Sequence, residues 1–260
     1  MQPYQQPYQQ PFANPYVGQG AQPYAVDMPA VMRTVYLWLA IGLAVGFGVA
    51  YWLGNLMLAA LPTYQAGGYL PPLEQALFSP ITMIVALIAY FVVGFGFYPI
   101  VRRTSPTAGA VMYLAFAVVF GILITPIFVA YTSSSIASAF AITAGMFAIM
   151  SLIGYTTRLD LSKLGAILFM ALIGIIIASV VNFFLQSQAL YWIVTYAVIV
   201  VFSGLTAYDT QWIRKQSAAL VKVNDGSALA RLALVGAFKL FLDFINLFLA
   251  ILRITGRARN

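Results

Sequence analysis

The sequence predicts an all-α integral membrane protein, a seven-helix transmembrane bundle with the seventh helix central. Three observations predict this fold class: the composition, seven long apolar segments, and the positions of the basic residues between them. Of the 260 residues, 62% are hydrophobic and 7% are charged, whereas about 25% of the residues in a soluble domain are charged. A soluble fold could not bury so many apolar side chains, because its surface-to-volume ratio leaves much of the chain in water. The chain therefore needs the lipid bilayer as its partner.

The residue types that are missing exclude several classes of function. The chain has no cysteine and no histidine, which excludes disulfides, thiolate metal sites, cysteine nucleophiles and histidine general bases. The sequence also has no phosphate-binding loop, dinucleotide-binding fingerprint or kinase signature. We therefore expect no enzyme activity and no bound cofactor. Any proton chemistry would depend on carboxylates, tyrosine or lysine.

The first 32 residues differ in composition from the rest of the chain. The sequence Gln-Pro-Tyr-Gln occupies residues 2–5 and recurs at residues 6–9. Because repeated proline removes backbone donors and blocks helix formation, we interpret residues 1–32 as a disordered cytoplasmic tail. Its tyrosines could contact a partner, although a solvated tail is the simpler interpretation. Residues 33–256 then form the membrane domain, and residues 257–260 form a short basic tail.

Seven apolar segments are long enough to cross a bilayer. A transmembrane helix needs about 20 apolar residues, because the hydrocarbon core is about 30 Å thick. Lipid offers no partners for unpaired backbone groups, and the apolar runs do not alternate, so all seven are predicted to be helices. The predicted spans are Val35–Leu58, Ile81–Val101, Ala110–Tyr131, Ile136–Tyr155, Leu164–Leu185, Leu190–Tyr208 and Leu232–Leu252.

The basic residues lie in alternate connections between the predicted spans. The connections at residues 59–80, 132–135 and 186–189 contain no lysine or arginine. Basic loops remain in the cytoplasm, so this alternation predicts a cytoplasmic N-terminus and explains the net charge of +7 without nucleic acid. Together with the lack of eukaryotic targeting signals, the alternation indicates a bacterial inner (plasma) membrane, with an organellar membrane as the alternative.

The sequence does not decide whether the seventh segment crosses the membrane or only re-enters it. If it crosses, Arg253, Arg257 and Arg259 lie outside, against the charge rule; if it only re-enters, they stay in the cytoplasm. The segment carries Lys239, Asp243 and Asn246 in its apolar run. These polar residues suit a central helix shielded by the other six better than a helix that faces lipid.

Three ionisable side chains lie within or at the end of predicted spans. Asp209 follows the sixth span, and Lys239 and Asp243 lie in the seventh. An ionisable group at membrane depth is costly and therefore marks a functional hypothesis. Lys239 and Asp243 are four residues apart and could pair on one helix face; alternatively, Lys239 extends to the interface and leaves Asp243 free. For Asp209, position alone favours an ordinary interfacial carboxylate.

Two stretches around these aspartates resemble the transmembrane Bax inhibitor motif family. They are residues 203–211, Ser-Gly-Leu-Thr-Ala-Tyr-Asp-Thr-Gln, and residues 242–249, Leu-Asp-Phe-Ile-Asn-Leu-Phe-Leu. Residues 121–128, Gly-Ile-Leu-Ile-Thr-Pro-Ile-Phe, are similar to the family's third span. The likeness extends from about Arg33 to Gly256 and includes the number and order of the spans.

The resemblance implies six helices around the seventh in a bacterial member of the family. It also implies that Asp209 and Asp243 form a hydrogen-bonded pair near the cytoplasmic mouth. A latching arginine follows span two in the family; Arg103 is the best match here, with Arg102 as the alternative. Family members use such a pair as a pH sensor for a calcium leak. Some carry an acidic residue in span two, but Ile81–Val101 has none, so the resemblance implies nothing about ion selectivity.

The titration of two neighbouring buried carboxylates is suited to sensing pH. Two nearby carboxylates in a low-dielectric site cannot both ionise cheaply, so they share a proton. Calcium prefers oxygen ligands, and two aspartates alone supply too few for a tight site, which suits a weakly held, permeating ion. We therefore expect a pH-sensitive calcium (cation) leak channel in which protonation switches the Asp209–Asp243–Arg103 cluster. Asp209 and Asp243 are also the candidate weak calcium ligands.

Two other functions compete with this hypothesis. Tyr208-Asp209 is similar to the Tyr-Asp of presenilin-like proteases, but their second aspartate lies in Gly-x-Gly-Asp, whereas residues 241–244 are Phe-Leu-Asp-Phe. No glycine there lets a substrate backbone approach, so proteolysis is disfavoured. Some bacterial relatives are thought to modulate a membrane-anchored ATP-dependent protease. The alternative is therefore a non-conducting regulator of such a protease or another membrane partner, and it does not exclude an ion leak.

Overall fold

The computed structural model of the chain describes residues 28–223 and 225–259. Most of the predicted tail, residues 1–27, lies outside the described residues, as does residue 260 of the basic tail. Residues 28–32, which the composition predicts to be part of the disordered tail, instead form the start of a helix that begins at Met28. Pro29 is compatible with this start, because the first backbone N–H groups of a helix have no partner within it.

Eight helices make up the described chain. They are α1 (Met28–Gln65), α2 (Pro72–Leu77), α3 (Pro80–Arg103), α4 (Pro106–Ala130), α5 (Ser133–Thr156), α6 (Ser162–Leu185), α7 (Gln188–Val223) and α8 (Gly226–Thr255). All except the short α2 are long and apolar enough to cross a membrane. The predicted fold class, an all-α multi-pass membrane bundle, is confirmed.

Side-chain caps and prolines define several helix starts. Ser105 Oγ accepts from the Ala108 amide at 3.2 Å at the start of α4, and Thr132 Oγ1 accepts from the Ser135 amide at 3.3 Å at the start of α5. Asp225 Oδ1 accepts from the Ala228 amide at 2.9 Å at the start of α8. These caps satisfy backbone donors that have no partner within the helix.

Helix α8 occupies the centre of the bundle, as predicted. It packs against α1, α3, α4, α5 and α7, whereas α6 packs on α7. In its most apolar stretch 78% of the residues are buried, against 17–39% in the other six spanning helices. The polar residues of α8 are therefore shielded from lipid by neighbouring helices.

Aromatic rings fill the space around α8. Its phenylalanines at positions 238, 241, 244 and 248 each meet a ring from another helix, with centroid distances between 4.2 and 5.3 Å for the pairs Phe97–Phe238, Phe120–Phe241, Phe140–Phe244 and Phe47–Phe248. Each such pair contributes about 0.5–1.5 kcal/mol beyond burial alone. The four pairs connect α8 to α3, α4, α5 and α1.

Helix α8 extends from one end of the bundle to the other, which favours a crossing seventh span over a re-entrant one. Near its start, Arg231 Nε donates to the Thr104 carbonyl at 3.1 Å, in the α3–α4 connection. After its end, the Arg259 amide donates to the Ala130 carbonyl at 2.9 Å, and the Arg257 carbonyl accepts from the Thr132 amide at 3.2 Å. Both of these bonds involve the α4–α5 connection, at the opposite end of α4.

The bundle therefore has two distinct ends. We call the end with the α3–α4, α5–α6 and α7–α8 connections the basic-loop end. We call the opposite end, where residues 256–259 lie, the tail end. Arg253, Arg257 and Arg259 are at the tail end, so the charge rule does not hold for the seventh span.

Candidate functional site

The sequence-predicted aspartates lie on α7 and α8, two helices that pack extensively against each other. Asp209 lies on α7 and is 6% exposed, and Asp243 lies on α8 and is 4% exposed. Lys239 lies one turn before Asp243 on α8, and its Nζ donates to Asp209 Oδ1 at 2.7 Å. This ion pair joins the two helices inside the bundle.

Asp243 is the third member of the same cluster. It lies within electrostatic range of both Asp209 and Lys239. Its Oδ2 is buried and has no hydrogen-bond partner among the residues that the structure describes. The Asp209–Lys239–Asp243 cluster thus contains two carboxylates and one ammonium group, and one oxygen of the Asp243 carboxylate has no hydrogen-bond partner among the described residues.

Lys239 follows neither of the two arrangements expected from its spacing. It pairs with Asp209 on the neighbouring helix rather than with Asp243 on its own, and 35% of its side chain remains exposed. Its Nζ also lies 4.8 Å from the centre of the Trp212 ring. Because Asp209 and Trp212 are three residues apart on α7, they present one face to the lysine. Sequence spacing missed this pairing because the partner belongs to another helix.

The two candidate latch arginines lie at the C-terminal end of α3. Arg102 and Arg103 are both exposed, and the Arg102 guanidinium lies 5.5 Å from the centre of the Tyr98 ring. Within residues 28–223 and 225–259 the ion pairs are Lys239–Asp209 and Lys215–Asp160. Neither arginine is therefore paired with Asp209 or Asp243 in this conformation. The cation that the structure brings to the aspartates is Lys239.

Buried hydroxyl groups continue from the cluster along α7. Thr206 and Thr210 are fully buried, and Thr210 Oγ1 donates to Ser151 Oγ of α5 at 3.3 Å. Ser203 Oγ is buried and has no partner in the described part of the chain. The stretch of residues 203–211 that carries the family resemblance therefore contains three buried hydroxyl groups besides Asp209.

The segment of α7 after Asp209 holds the α5–α6 connection against the basic-loop end. Gln211 Nε2 donates to the Leu159 carbonyl at 2.7 Å and Gln211 Oε1 accepts from the Leu161 amide at 2.9 Å. Arg214 donates to the Tyr155 and Thr157 carbonyls. These bonds stabilise the polar end of α7, which extends 15 residues beyond the predicted end at Tyr208.

An exposed ion pair also joins α7 to the α5–α6 connection. Lys215 Nζ donates to Asp160 Oδ1 at 2.5 Å, and this hydrogen bond holds the pKa of Asp160 well below its usual range. Because both side chains are exposed, the pair contributes little to stability compared with a buried one.

The acidic residues of the described chain do not gather into a larger metal-binding group. No set of three or more aspartate, glutamate, histidine or cysteine residues lies close enough to hold a metal ion in the part of the chain that the structure describes. Asp209 and Asp243 are the two carboxylates at the cluster. Any calcium ion there would need backbone carbonyls or water as further ligands, which is typical of weak binding.

Comparison with known proteins places the chain in a family. Residues 28–260 match the family described as Inhibitor of apoptosis-promoting Bax1. The chain is similar to inner membrane protein YbhL of Escherichia coli strain K12, with 40% identity over 238 residues that cover 92% of this chain and 95% of YbhL. It is also similar to protein RP147 of Rickettsia prowazekii, with 37% identity over 78% of this chain and 83% of the relative. A protein of Caulobacter vibrioides shows 34% identity, over 88% and 89% of the two chains. Since the family match covers the entire membrane domain, this chain belongs to the Bax inhibitor family.

Proposed function

We propose that this protein is a pH-sensitive calcium (cation) leak channel that is gated at the Asp209–Lys239–Asp243 cluster. The observation that carries the proposal is the buried, unpartnered Oδ2 of Asp243 beside the Lys239–Asp209 ion pair. When both aspartates are ionised, one negative charge in the cluster is left without a counter-ion. Such a charge is strongly unfavourable inside a protein, so the site is stable only when a proton or a cation joins it.

The ion pair between α7 and α8 supplies the gating step. At neutral pH, Asp209 is ionised and its bond with Lys239 holds the two helices together in the closed arrangement. Acidification protonates Asp209 and removes this bond. Lys239, which is already 35% exposed, then extends toward the interface. The leak therefore increases as the pH falls.

The rings along α8 explain why this conformation is closed. Phe244 and Phe248 are buried between the cluster and the tail end and pack against Phe140 and Phe47. An ion could pass only if α7, α8 or their neighbours move apart. The two aspartates would then line the opening and hold a calcium ion weakly, because they supply only part of its oxygen ligands.

The exposed arginines of α3 are candidates for the cation that replaces Lys239 after gating. Arg103, or Arg102 as the alternative, would act as the latch in the conformation in which Lys239 has left Asp209. Both side chains are exposed at the basic-loop end, so they are available for such a movement. Proteolysis does not fit the scheme, because Lys239 occupies the carboxylate that would have to activate water.

We place the protein in the bacterial inner membrane with its basic-loop end in the cytoplasm. The name of the similar protein YbhL specifies an inner membrane protein, and the six spans before α8 follow the charge rule. This orientation puts the N-terminus in the cytoplasm and the three tail-end arginines outside.

Calcium flux into proteoliposomes as a function of pH tests the proposal. The double variant Asp209→Asn with Asp243→Asn retains the size of both side chains but removes their titration. Wild type should leak more calcium as the pH falls, and the double variant should show flux that is independent of pH. Asp160→Asn is the matched control, because it removes an exposed carboxylate at the same end of the bundle. Unchanged pH dependence in the double variant would contradict the proposal.

The alternative is a non-conducting membrane regulator that associates with a membrane-anchored ATP-dependent protease or another membrane-protein partner. The close packing of rings around α8 favours it, because such a bundle needs no opening to act by association. Deletion of residues 1–27 leaves the described helices intact and tests whether the tail recruits the partner. Co-purification of a membrane partner that is lost on this deletion, with no calcium flux at any pH, would favour the regulator over the channel.

A further inference from the structure

A groove opens on one side of the bundle between α3 and α6, and α8 forms its floor. Its volume is about 560 Å³. The rims are exposed and apolar: Phe95 of α3 is 81% exposed and Val180 of α6 is 55% exposed. Because both rim helices are membrane-spanning, the groove opens sideways into the hydrocarbon of the bilayer rather than into water.

The floor of the groove follows α8 to the tail end. It is lined by Phe238, Leu242, Asn246, Leu249, Ala250 and Arg253. From Phe238 to Arg253 is 15 residues, which corresponds to about 22 Å along the helix axis. One leaflet contributes about 15 Å of hydrocarbon, so the groove extends from the tail end through one leaflet and into the other. We propose that this groove holds one acyl chain of a bilayer phospholipid, whose phosphate binds Arg253 at the tail end.

Arg253 is placed to bind a phosphate group. It lies in the last turn of α8, its side chain is exposed, and its guanidinium lies 5.7 Å from the centre of the Tyr191 ring at the start of α7. The ion pairs within the described ranges, 28–223 and 225–259, do not include it. A guanidinium group binds phosphate oxygens through paired, charge-assisted hydrogen bonds. Tyrosine at this level is typical of the membrane interface.

The polar residues inside the groove do not oppose an apolar chain. Asn246 Nδ2 donates to the Leu242 carbonyl at 2.8 Å, and Ser179 Oγ donates to the Ile175 carbonyl at 2.8 Å. Both donors are therefore satisfied within their own helices. The surface that remains is formed largely by aliphatic and aromatic side chains of α3, α6, α7 and α8.

The charge at the end of the groove favours a lipid chain over a protein helix. A bilayer phospholipid carries a phosphate at the end of its acyl chains, and the Arg253 guanidinium lies at the corresponding end of the groove. A single acyl chain is also thinner than a helix, which is about 10 Å across with its side chains.

The test uses the full-length protein in mild detergent and a phosphatidylglycerol that carries a photoreactive group on one acyl chain. Ser179→Trp fills the groove from an exposed rim position, and Arg253→Gln removes the phosphate ligand. Val181→Trp is the control for the first, since Val181 is exposed on the opposite face of α6 and does not line the groove. Arg257→Gln, at the same end of the bundle, is the control for the second.

We expect one lipid per chain by native mass spectrometry, with photo-crosslinks in α3, α6 and α8 at the groove. Retention of the lipid should fall about tenfold in Ser179→Trp and in Arg253→Gln, as expected for losing the cavity or a charge-assisted bond. Both controls should retain it. Crosslinks spread evenly over all lipid-facing helices, or lipid retention equal in the four variants, would overturn the proposal. So would crosslinks that join the groove to a second copy of the chain.

Discussion

Lys239→Met removes the cation that binds buried Asp209 while it preserves most of the length and the apolar stem of the side chain. At 2.7 Å and an effective dielectric constant of about 20, the attraction in this pair is about 6 kcal/mol before desolvation is subtracted. Loss of one partner from a fully buried pair costs about 3–5 kcal/mol. Because 35% of the Lys239 side chain is exposed and Asp209 can take up a proton, we expect a loss of about 2–3 kcal/mol.

The pH dependence of this loss distinguishes the ion pair from simple packing. The ion pair stabilises the fold only while Asp209 is ionised, so the difference between the variant and wild type should be present at neutral pH. As the pH falls and Asp209 becomes protonated, wild type loses the same bond and the two proteins should converge. The measurement is the free energy of unfolding from SDS titrations in mixed micelles, followed by far-UV circular dichroism.

A double-mutant cycle of Asp209→Asn and Lys239→Met measures the coupling free energy between the two side chains. In the Asp209→Asn background, Lys239→Met should cost much less than in wild type, because the charge that Lys239 neutralises is already absent. Lys215→Met is the matched control at the exposed pair with Asp160, where we expect a much smaller change. Equal destabilisation by Lys239→Met in both backgrounds, or at all pH values, would contradict a stabilising Lys239–Asp209 ion pair.

Two further predictions concern the packing of the spanning helices. Gly154→Leu should separate α5 from α7 and abolish folding, because even a Cβ at Gly154 would overlap the Ala207 carbonyl; gel filtration and circular dichroism in detergent would report this, and a well-folded, monodisperse variant would contradict it. Phe248→Ala removes a fully buried ring from the centre of the bundle and should lower the free energy of unfolding by about 2 kcal/mol through lost packing. Phe95→Ala at the exposed rim is its control and should change the same quantity little.

The spans and candidate residues were predictable from the sequence because hydropathy is a local property. Six of the seven predicted spans lie entirely within an observed helix. The third predicted span ends at Tyr131, one residue after the end of α4. The largest error in extent is at α7, which continues to Val223 rather than ending at Tyr208. Hydropathy falls at Asp209, but Gln211 and Arg214 bind the α5–α6 connection and stabilise the helix beyond that point. The hydropathy of residues 203–223 carries no information about this contact, because the α5–α6 connection lies about 50 residues earlier in the chain.

The membrane class, the seven spans, the central position of the last span and the two candidate aspartates could all be predicted from the sequence. Asp243 is visible as a charge within an apolar run without knowledge of which helices are neighbours, whereas Asp209 was singled out by the family resemblance of residues 203–211. Three features required the packed structure: α8 crosses the bundle, Lys239 pairs with Asp209, and Arg102 and Arg103 lie exposed in this conformation. These outcomes depend on which side chains from separate helices meet. That pairing follows from how all seven spanning helices pack around one core, and no single segment specifies it.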